Sequence, residues 1–449
     1  MRRLTKAATP RSAAGKSPAT DKSIAARLDE VPHCGSLIIH AFPFKYGRFM
    51  YHHLPVYAGD PILSLHEAFL ADPRVNKVSL SIGLYFDEHG RLPVLDCVRQ
   101  ADLKLREQER PSGYLPIEGA PAYRAAVQRL VFGADHPAIS QGRIATIQGV
   151  GGSGAIRIGA DFIKNFMPGS EVWISDPTWD NHESLMQGAG LKVGRYPYYD
   201  AKSNGLRYDE MLAFFGNLTS GSVVLMQPCC HNPTGIDLSH EQWAGVIEVM
   251  KKNSLVPFLD MAYQGFGSGV EEDAWAVRAM VDAGLCPLVT NSFSKNFSLY
   301  GERCGGLSVV CPTAEEADRV LGQLKAGIRR VYSSPPLHGE QLVATVLDTP
   351  ALNQRWIEEV REMRERILRM RVLLAQNLTA GLPGMSVDFL TEQHGMFSYT
   401  GLTATEVDTL RDKHGIYLVR SGRMCVCGLN AGNVKAVADA LIVVWKARG

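Results

Sequence analysis

The chain has 449 residues, of which 45% are hydrophobic and 21% are charged, and its formal net charge is +1. This composition is typical of a soluble protein with room for a large and a smaller domain. Residues 1–50 hold nine Lys or Arg against three Asp or Glu, so the remainder is slightly acidic. A slightly acidic chain beyond residue 50 gives no reason to expect nucleic acid or a membrane as a partner. No apolar run in the sequence is long enough to span a bilayer.

The nine cysteines show neither disulfide-like nor zinc-like spacing. Cys229 and Cys230 are adjacent, and Cys425 and Cys427 would share one face of a strand. We interpret them as buried thiols in a reducing cytoplasm, and we expect no metal site.

The first 49 residues form a basic extension. Residues 1–23 are rich in Arg, Lys, Ala, Ser and Thr, and no acid precedes Asp21. This composition cannot build a core and predicts disorder. An organelle transit peptide, a solvated tail and a stretch foreign to the natural protein all remain open interpretations.

Globular patterning begins near Asp60, which caps a predicted amphipathic helix with Pro at its first position. A short strand is predicted over residues 78–85, ending at Gly83, and a helix over 94–109. A turn-rich loop over 112–119 follows, and a glycine-rich turn then opens another helix.

Strands and helices then alternate. Strands are predicted over 171–175, 222–226, 256–260 and 287–291, with a helix over 241–252. This order favours an α/β fold with a mostly parallel sheet covered by helices. A long helix over 352–378, short strands and a last helix over 433–447 indicate a smaller α+β domain.

The stretch 291–305 carries the strongest chemical signal. It follows the apolar strand 287–291, and it contains Lys295 among serines, with Arg303 eight residues later. A lysine amine can hold an aldehyde cofactor as a Schiff base, and hydroxyls with an arginine suit a phosphate. The alternative interpretation is that Lys295 lies in a loop, faces solvent and has no chemical role.

Five further candidates have equally ordinary alternatives. The glycine-rich turn 151–154 could bind a phosphate or could simply begin a helix. Asp260 could pair with a pyridinium nitrogen or cap a helix. Trp179 could stack on a flat ring or fill the core. Asn232 lies in a turn-like Asn-Pro-Thr-Gly, and Arg423 could clamp a carboxylate or face solvent.

Together and in this order, these candidates resemble the active-site residues of class I pyridoxal-phosphate aminotransferases, in the aspartate and aromatic branch. The resemblance runs from about residue 54 to the C-terminus and includes the strings 229–237, 262–266 and 394–398. It implies a fold-type I α/β protein with a seven-stranded, mostly parallel sheet. The implied parts are an N-terminal extension, an arm with part of the small domain, a large cofactor-binding domain and a small C-terminal domain: 1–49, 50–95, 96–350 and 351–449.

The resemblance also implies a role for each candidate. Lys295 would carry the cofactor, pyridoxal 5′-phosphate, as a Schiff base and move the proton at the substrate Cα. Asp260, supported by His182, would hold the pyridine nitrogen. Asn232 and Tyr263 would hydrogen-bond the phenolic oxygen. Lys295, Tyr263 and Asp260 are thus the predicted catalytic residues.

The remaining implied roles concern the ring, the phosphate and the substrate. Trp179 would stack on the ring, and Arg423 would bind the α-carboxylate with help from Asn232, Trp179 and the Gly83 backbone. The phosphate is assigned to four residues: Gly152, Ser153, Ser292 and Arg303. No metal is implied.

Two candidates imply a homodimer. Tyr114 would reach the phosphate of the neighbouring subunit, and Arg329 would meet the side-chain carboxylate of a dicarboxylic substrate there. One departure from the family pattern stands out, because Gln227-Pro228 replaces the common His-Gly before the two cysteines. This departure puts in doubt how the residues around the site support it, but it does not put the reaction in doubt.

The implied activity is ping-pong transamination between aromatic or dicarboxylic amino acids and 2-oxoglutarate. Aspartate-type and aromatic-type members of the branch differ at six pocket positions, and five of the six lean aromatic here. These positions are Leu84, Phe86, Leu92, Gly113, Ser153 and Ser334, with Gly113 matching neither type. An aspartate aminotransferase is the main alternative, and a cofactor-dependent lyase or a ligand-sensing regulator is a further one.

The family resemblance bears on the extension too. Members commonly begin about ten residues before the helix that opens here at Asp60, and Met50 lies ten residues before it. A misassigned start codon is therefore the simplest expectation for residues 1–49, with a targeting peptide left open.

Overall fold

The computed structural model describes Tyr51 and residues 53–57, 59–109 and 111–448. The N-terminal extension predicted over residues 1–49, including the disorder predicted for residues 1–23, lies outside this range. In the first of two compact units, Met1–Ala58, the described residues form one turn in which the Leu54 N–H donates to Tyr51 O at 3.0 Å. The second unit, Gly59–Gly449, contains the helices and strands.

Fifteen α-helices occur in the described range. They are α1 Pro61–Ala71, α2 Asp96–Arg106, α3 Pro121–Phe132, α4 Pro137–Ser140, α5 Gly151–Phe166, α6 Asp180–Gly188, α7 Tyr208–Gly216, α8 His240–Lys252, α9 Trp275–Asp282, α10 Ala314–Val331, α11 His338–Asp348, α12 Pro350–Gly381, α13 Phe389–Glu392, α14 Ala404–His414 and α15 Val434–Lys446. Each of these described helices is too short or too polar to span a bilayer.

Thirteen strands accompany them within the same residues. They are β1 Val78–Ser79, β2 Ile144–Val150, β3 Val172–Asp176, β4 Val193–Pro197, β5 Tyr199–Asp200, β6 Gly205–Leu206, β7 Val223–Met226, β8 Val256–Met261, β9 Leu288–Ser292, β10 Cys304–Val310, β11 Phe397–Tyr399, β12 Ile416–Tyr417 and β13 Arg423–Cys425.

The central sheet has seven strands in the order β2-β10-β9-β8-β7-β3-β4. Strand β10 runs antiparallel to both of its neighbours, and the pairs from β9 through β4 are parallel. The α/β prediction with a mostly parallel, seven-stranded sheet is therefore confirmed. Because helices connect the parallel strands, both faces of the sheet are covered.

Alternate residues of the strands enter two hydrophobic cores. In β7, Val223 and Leu225 pack on one face, and Val224 and Met226 pack on the other. The first face meets α5 and α10, whereas the second meets α3, α8 and the long helix α12. A strand buried on both sides must be apolar throughout, which explains the continuous apolar runs in the sequence.

Three two-stranded sheets complete the unit: β1-β12, β11-β13 and β5-β6. Strand β1 lies far from β12 in sequence, yet the two pair in parallel through Val78 and Ile416. The N-terminal strand is thus tied to the C-terminal part of the chain. The division at residues 50–95, 96–350 and 351–449 stays a prediction.

The helix at Asp60 forms as predicted, with the Asp60 carboxylate accepting from the N–H groups of Ile62 and Leu63 at 2.9 and 2.8 Å. The strand predicted over 78–85 was too long, since β1 contains two residues. Leu80 explains the break, because its N–H donates to Tyr417 in β12 while its carbonyl accepts from Cys425 in β13. The chain therefore passes from one partner strand to another.

Strand β10 was not predicted from the sequence. It begins Cys-Gly-Gly, and glycines are depleted in strands because they have no side chain to pack. In β10 the glycines allow neighbouring backbone atoms to approach closely. A Cβ on Gly305 would lie 2.7 Å from Asn291 O and 2.9 Å from Gly151 O. The glycines let β10 fit between β9 and the start of α5.

Gly305→Ala is expected to destabilise the protein by roughly 1–3 kcal/mol, because the added methyl overlaps two backbone carbonyls that cannot retreat. Gly322→Ala is the matched control, since a Cβ there meets nothing within 4 Å and the position lies inside α10. This control should gain about 0.5–1 kcal/mol from helix propensity. Urea unfolding measures both changes, and equal stability of the two variants would contradict the packing described for β10.

Candidate active site

The candidate residues meet at one edge of the central sheet. Strands β2, β3, β7, β8 and β9 are mutually parallel in direction and end at this edge, and the antiparallel β10 begins there. The polar residues follow or end these strands, as Asp260 does in β8 and Ser292 in β9. Ligands of open α/β sheets bind at the carboxyl ends of the strands, and this geometry produces such a site.

A cavity of about 240 Å³ opens at this edge. Eleven of the residues singled out in the sequence line it: Gly83, Gly152, Ser153, Trp179, Asn232, Asp260, Tyr263, Ser292, Lys295, Arg303 and Arg423. His182 lies behind the wall, in contact with Asp260.

Lys295 has an unusual electrostatic environment. Its Nζ lies 4.7 Å from the centre of the Tyr263 ring. Burial lowers the pKa of Lys295 to about 8; the carboxylate of Asp260 opposes this shift, and the guanidinium groups of Arg303 and Arg423 reinforce it. A substantial fraction of the amine is therefore neutral near physiological pH, and the neutral form is the one that can attack a carbonyl.

Asp260 is fixed by two hydrogen bonds. Thr290 Oγ1 donates to Oδ1 at 3.0 Å, and His182 Nε2 donates to Oδ2 at 3.1 Å. The hydroxyl of Thr178 lies 2.8 Å from the other ring nitrogen of His182, so the imidazole is oriented from both sides. His182 is fully buried, and Asp260 is 5% exposed. The carboxylate thus faces the cavity in a set direction and can accept one more donor.

One end of the cavity is suited to an anion such as phosphate. Helix α5 begins at Gly151 without a side-chain cap, and the Gly151 N–H donates to Arg303 O at 2.8 Å. The N–H groups of Gly152 and Ser153 belong to the first turn, where the helix supplies no acceptor. The Arg303 guanidinium lies so close to Gly151 that any Cβ there would overlap it. Free N–H groups, a helix dipole and a guanidinium together make an anion site.

The other end has a second buried guanidinium. Arg423 Nη2 donates to Ser81 O at 2.6 Å, and Nη1 donates to Asn232 Oδ1 at 3.2 Å. The Arg423 side chain also lies over the Phe397 ring, 4.5 Å from its centre. Its Nε is buried without a hydrogen-bond partner among the residues that the structure describes, and burial lowers the pKa of the group. A buried, unpartnered donor on a cation calls for an anionic ligand such as a carboxylate.

Asn232 connects the two ends. Its Nδ2 donates to Tyr263 Oη at 3.3 Å, while its Oδ1 accepts from Arg423. Burial raises the pKa of Tyr263, so the hydroxyl keeps its proton and can donate to an oxygen in the cavity.

Two predicted site residues lie elsewhere. The Tyr114 side chain is 98% exposed, and Arg329 is an exposed residue in the last turn of α10, where its guanidinium donates to Ser333 Oγ. Neither lines the cavity of the single chain. This placement leaves both available to act outside their own subunit.

Several wall residues were not predicted from the sequence. They are Ile62, Ile156, Gln227, Ala262, Ser294, Tyr300 and Phe397. Ser294 and Tyr300 lie within the stretch 291–305, and Phe397 lies within the string 394–398, so their neighbours were the available signal. Ile62 carried none, because an apolar residue of an amphipathic helix predicts only packing.

A second cluster of donor atoms lies behind the loop of Asn232. Side-chain atoms of Cys229, Cys230 and Asp273 lie within 4.8 Å of one another. The carboxylate of Asp273 is already engaged by the backbone N–H groups of residues 265, 267 and 268, and burial raises the pKa of both thiols. This environment keeps the cysteines protonated and identifies the cluster as packing that supports the loop.

Comparisons with known proteins agree with this geometry. The family model for Aminotransferase class I and II matches residues 75–441. The aromatic-amino-acid aminotransferase of Escherichia coli is 56% identical over 396 residues, which cover 88% of this chain and all of the relative. The aspartate aminotransferase of Pseudomonas aeruginosa is 48% identical over 385 residues, 86% of this chain and 97% of the relative.

A solved structure is also closely similar. It is the aromatic-amino-acid aminotransferase of Burkholderia pseudomallei, covalently bound to pyridoxal phosphate. Its TM-score is 0.86 at 50% identity, with 88% of this chain and 99% of that chain covered.

Lys295 is expected to react with an acylating reagent with a midpoint near pH 8, in protein from which any pyridoxal phosphate has been removed. The neutral amine is the reactive form, and lowering its pKa makes that form available at lower pH than for a free lysine, which titrates near ~10.4. Pulsed labelling followed by mass spectrometry of the Lys295 peptide gives the midpoint. Arg423→Met should raise it, because one repelling cation is removed. A midpoint equal to that of a free lysine peptide would refute the electrostatics described.

Proposed function

Because the chain belongs to the class I and II aminotransferase family, we propose that it transaminates aromatic and dicarboxylic amino acids with 2-oxoglutarate. The observation that carries the proposal is one cavity lined by Lys295 together with the carboxylate and the two guanidinium groups whose charges act on its amine. The protein is an aminotransferase, and its cofactor is pyridoxal 5′-phosphate.

The cavity residues fit this cofactor. When bound, pyridoxal phosphate supplies a reactive carbonyl carbon and a ring that withdraws electrons from the substrate Cα. Asp260 would offer a carboxylate to a protonated ring nitrogen, and Trp179 would offer a flat face to the ring. The Tyr263 hydroxyl and the Asn232 amide would donate to the phenolic oxygen. The first turn of α5, Ser292 and Arg303 would hold the phosphate.

Lys295 has two tasks in this assignment. Its neutral amine would hold the cofactor's aldehyde carbon covalently, with loss of water. Once the substrate amine has displaced it, the free amine would accept the proton from the substrate Cα. Both tasks need an amine whose pKa lies near the working pH, which burial and two guanidinium groups provide. Trp179 and the buried wall around the amine keep water away from the proton in transit.

Arg423 binds the substrate α-carboxylate. Within the described part of the chain its Nε has no hydrogen-bond partner, and its other nitrogens are held by Ser81 and Asn232, so the guanidinium is oriented before substrate arrives. Preorganised charge of this kind gives affinity and alignment together.

The functional unit is proposed to be a homodimer in the cytoplasm. Tyr114 and Arg329 lie on the exposed surface, outside the cavity of their own chain. In the dimer, Tyr114 completes the phosphate site and Arg329 meets the side-chain carboxylate of a dicarboxylic substrate in the neighbouring subunit.

Aromatic preference is inferred from the pocket positions that the family resemblance assigns. Phe86 and Leu92 lie outside the cavity lining of the single chain, and Leu92 is 46% exposed there, so it has apolar surface left to bury. An aromatic side chain would gain on the order of 25 cal/mol for each Å² of apolar surface buried against them. In the dimer, the small Ser334 would leave room near Arg329. The alternative function is aspartate aminotransferase, which the 48% identical Pseudomonas aeruginosa relative supports.

With 2-oxoglutarate as acceptor, kcat/KM for phenylalanine and tyrosine is expected to exceed that for aspartate. Lys295→Ala is the control that should show no turnover with any donor, because it removes the amine that forms the covalent link and moves the proton. Steady-state assays of glutamate formation measure both. A tenfold preference for aspartate, equivalent to about 1.4 kcal/mol in transition-state binding, would overturn the aromatic assignment. Full turnover in Lys295→Ala would overturn the whole proposal.

The two arginines are expected to differ in the substrates they affect. Arg423→Met should lower kcat/KM by roughly a hundredfold, about 3 kcal/mol, for both phenylalanine and aspartate, because every substrate carries an α-carboxylate. Arg329→Met should cause a similar loss for aspartate and less than about threefold for phenylalanine. The test compares, for each variant, the loss in kcat/KM for phenylalanine with the loss for aspartate. Equal losses in Arg329→Met for both substrates would show that Arg329 does not bind the side-chain carboxylate.

A further inference from the structure

Gln227 lies at a position near the site where the sequence departs from the family pattern, and it has no assigned role in the proposed chemistry. It follows directly after strand β7 at the active edge of the sheet and lines the cavity. The residue is 6% exposed, so its polar amide is almost entirely removed from water. A buried amide must be satisfied within the protein, and its partners show what it does.

The Gln227 side chain forms a reciprocal pair with the main chain of Asn232. Its Oε1 accepts from the Asn232 N–H at 2.9 Å, and its Nε2 donates to the Asn232 carbonyl at 3.0 Å. The next residue is Pro233, which has no N–H. Both main-chain polar groups of Asn232 are thus met by one side chain, and a paired amide fixes the orientation of a peptide as well as its position.

The rest of the loop is anchored independently. Asp237 accepts from the N–H groups of Cys230 and His231 at 2.7 and 2.8 Å, and His231 contacts the hydroxyls of Ser175 and Thr234 at 2.9 and 2.8 Å. These contacts hold the loop on both sides of Asn232. These contacts do not set the direction in which the Asn232 side chain points, and that direction is left to Gln227.

We propose that Gln227 is a positioning residue that holds Asn232 in the orientation linking Tyr263 to Arg423. With the peptide clamped, Asn232 Oδ1 faces the Arg423 guanidinium and Nδ2 faces the Tyr263 hydroxyl, so one amide serves the carboxylate end and the cofactor end of the cavity. Both hydrogen bonds of the Gln227 amide go to the Asn232 main chain, so Gln227 acts on Arg423 and Tyr263 through Asn232. The proposal rests on the proposed aminotransferase site.

A double-mutant cycle tests this role. The holoenzyme is titrated calorimetrically with 3-phenylpropanoate, which carries a carboxylate and an aromatic ring but no amine that could react. Four proteins are compared: the wild type, Gln227→Met, Asn232→Ala and the double variant. Gln227→Met should raise the Kd roughly tenfold, because the Asn232 amide no longer supports Arg423. In the Asn232→Ala background the same substitution should have no further effect.

Gln128→Met is the matched control. Gln128 also places a glutamine amide against the backbone, donating to Ile144 O at 3.0 Å, but it lies outside the cavity wall. It should leave the Kd unchanged, whatever it does to the melting temperature. Gln227→His serves as a second variant if Gln227→Met does not fold, since an imidazole can keep one of the two hydrogen bonds and should give an intermediate Kd.

The possible outcomes distinguish failure of the positioning role of Gln227 from failure of the proposed aminotransferase site. An unchanged Kd in Gln227→Met, or the same rise with and without the Asn232 side chain, overturns the positioning role and leaves the aminotransferase assignment intact. Failure of the wild type to bind 3-phenylpropanoate overturns the proposed substrate site, and the role of Gln227 with it. A rise that vanishes in the Asn232→Ala background supports the proposal.

Discussion

Three cationic side chains and one carboxylate line one cavity, and this imbalance of charge governs the site. The guanidinium groups of Arg303 and Arg423 both act electrostatically on Lys295, and the carboxylate of Asp260 opposes their effect. Charges removed from water are costly unless they are paired, so the arrangement favours ligands that bring negative charge to both ends. The same repulsion supplies a lysine that is partly neutral near physiological pH. Binding of anions and activation of the amine therefore have one electrostatic origin.

This concentration of charge depends on the backbone being able to approach closely. Gly151 has a φ of +65°, and its missing side chain leaves the space that the Arg303 guanidinium occupies. Gly305 lets β10 lie against β9 and the start of α5, which places Arg303 at the head of α5. A side chain at either position would move the arginine away from the helix N-terminus. The phosphate end of the cavity is thus determined by residues that contribute no functional groups of their own.

The sequence predicted the cofactor end of the site better than the fold around it. Asp260 lies near the end of an apolar strand, and Lys295 and the glycine turn come soon after two others. Because the carboxyl ends of parallel strands meet at one edge, local patterns were enough to bring these residues together. Strand β10 was missed because its glycines are typical of a turn in the sequence, whereas in the fold they are needed for close packing of the backbone. Thr290 and Thr178 support Asp260 and His182 from positions that resemble ordinary strand and loop residues. Such supporting contacts are tertiary and leave no periodic signal in the chain.

The carboxylate end is built differently, and this difference explains what the sequence could not predict. Arg423 reaches back across 342 residues to Ser81 and across 191 to Asn232. No local pattern relates these three positions, so their meeting depends on the whole topology, including the pairing of β1 with β12 and of β11 with β13. In the proposed homodimer, completion of the phosphate site and recognition of a dicarboxylic substrate would depend on still more distant residues, Tyr114 and Arg329, which lie on the exposed surface. The chemistry is local to one sheet edge, whereas recognition of the substrate requires the complete fold and, in the proposed homodimer, a second chain.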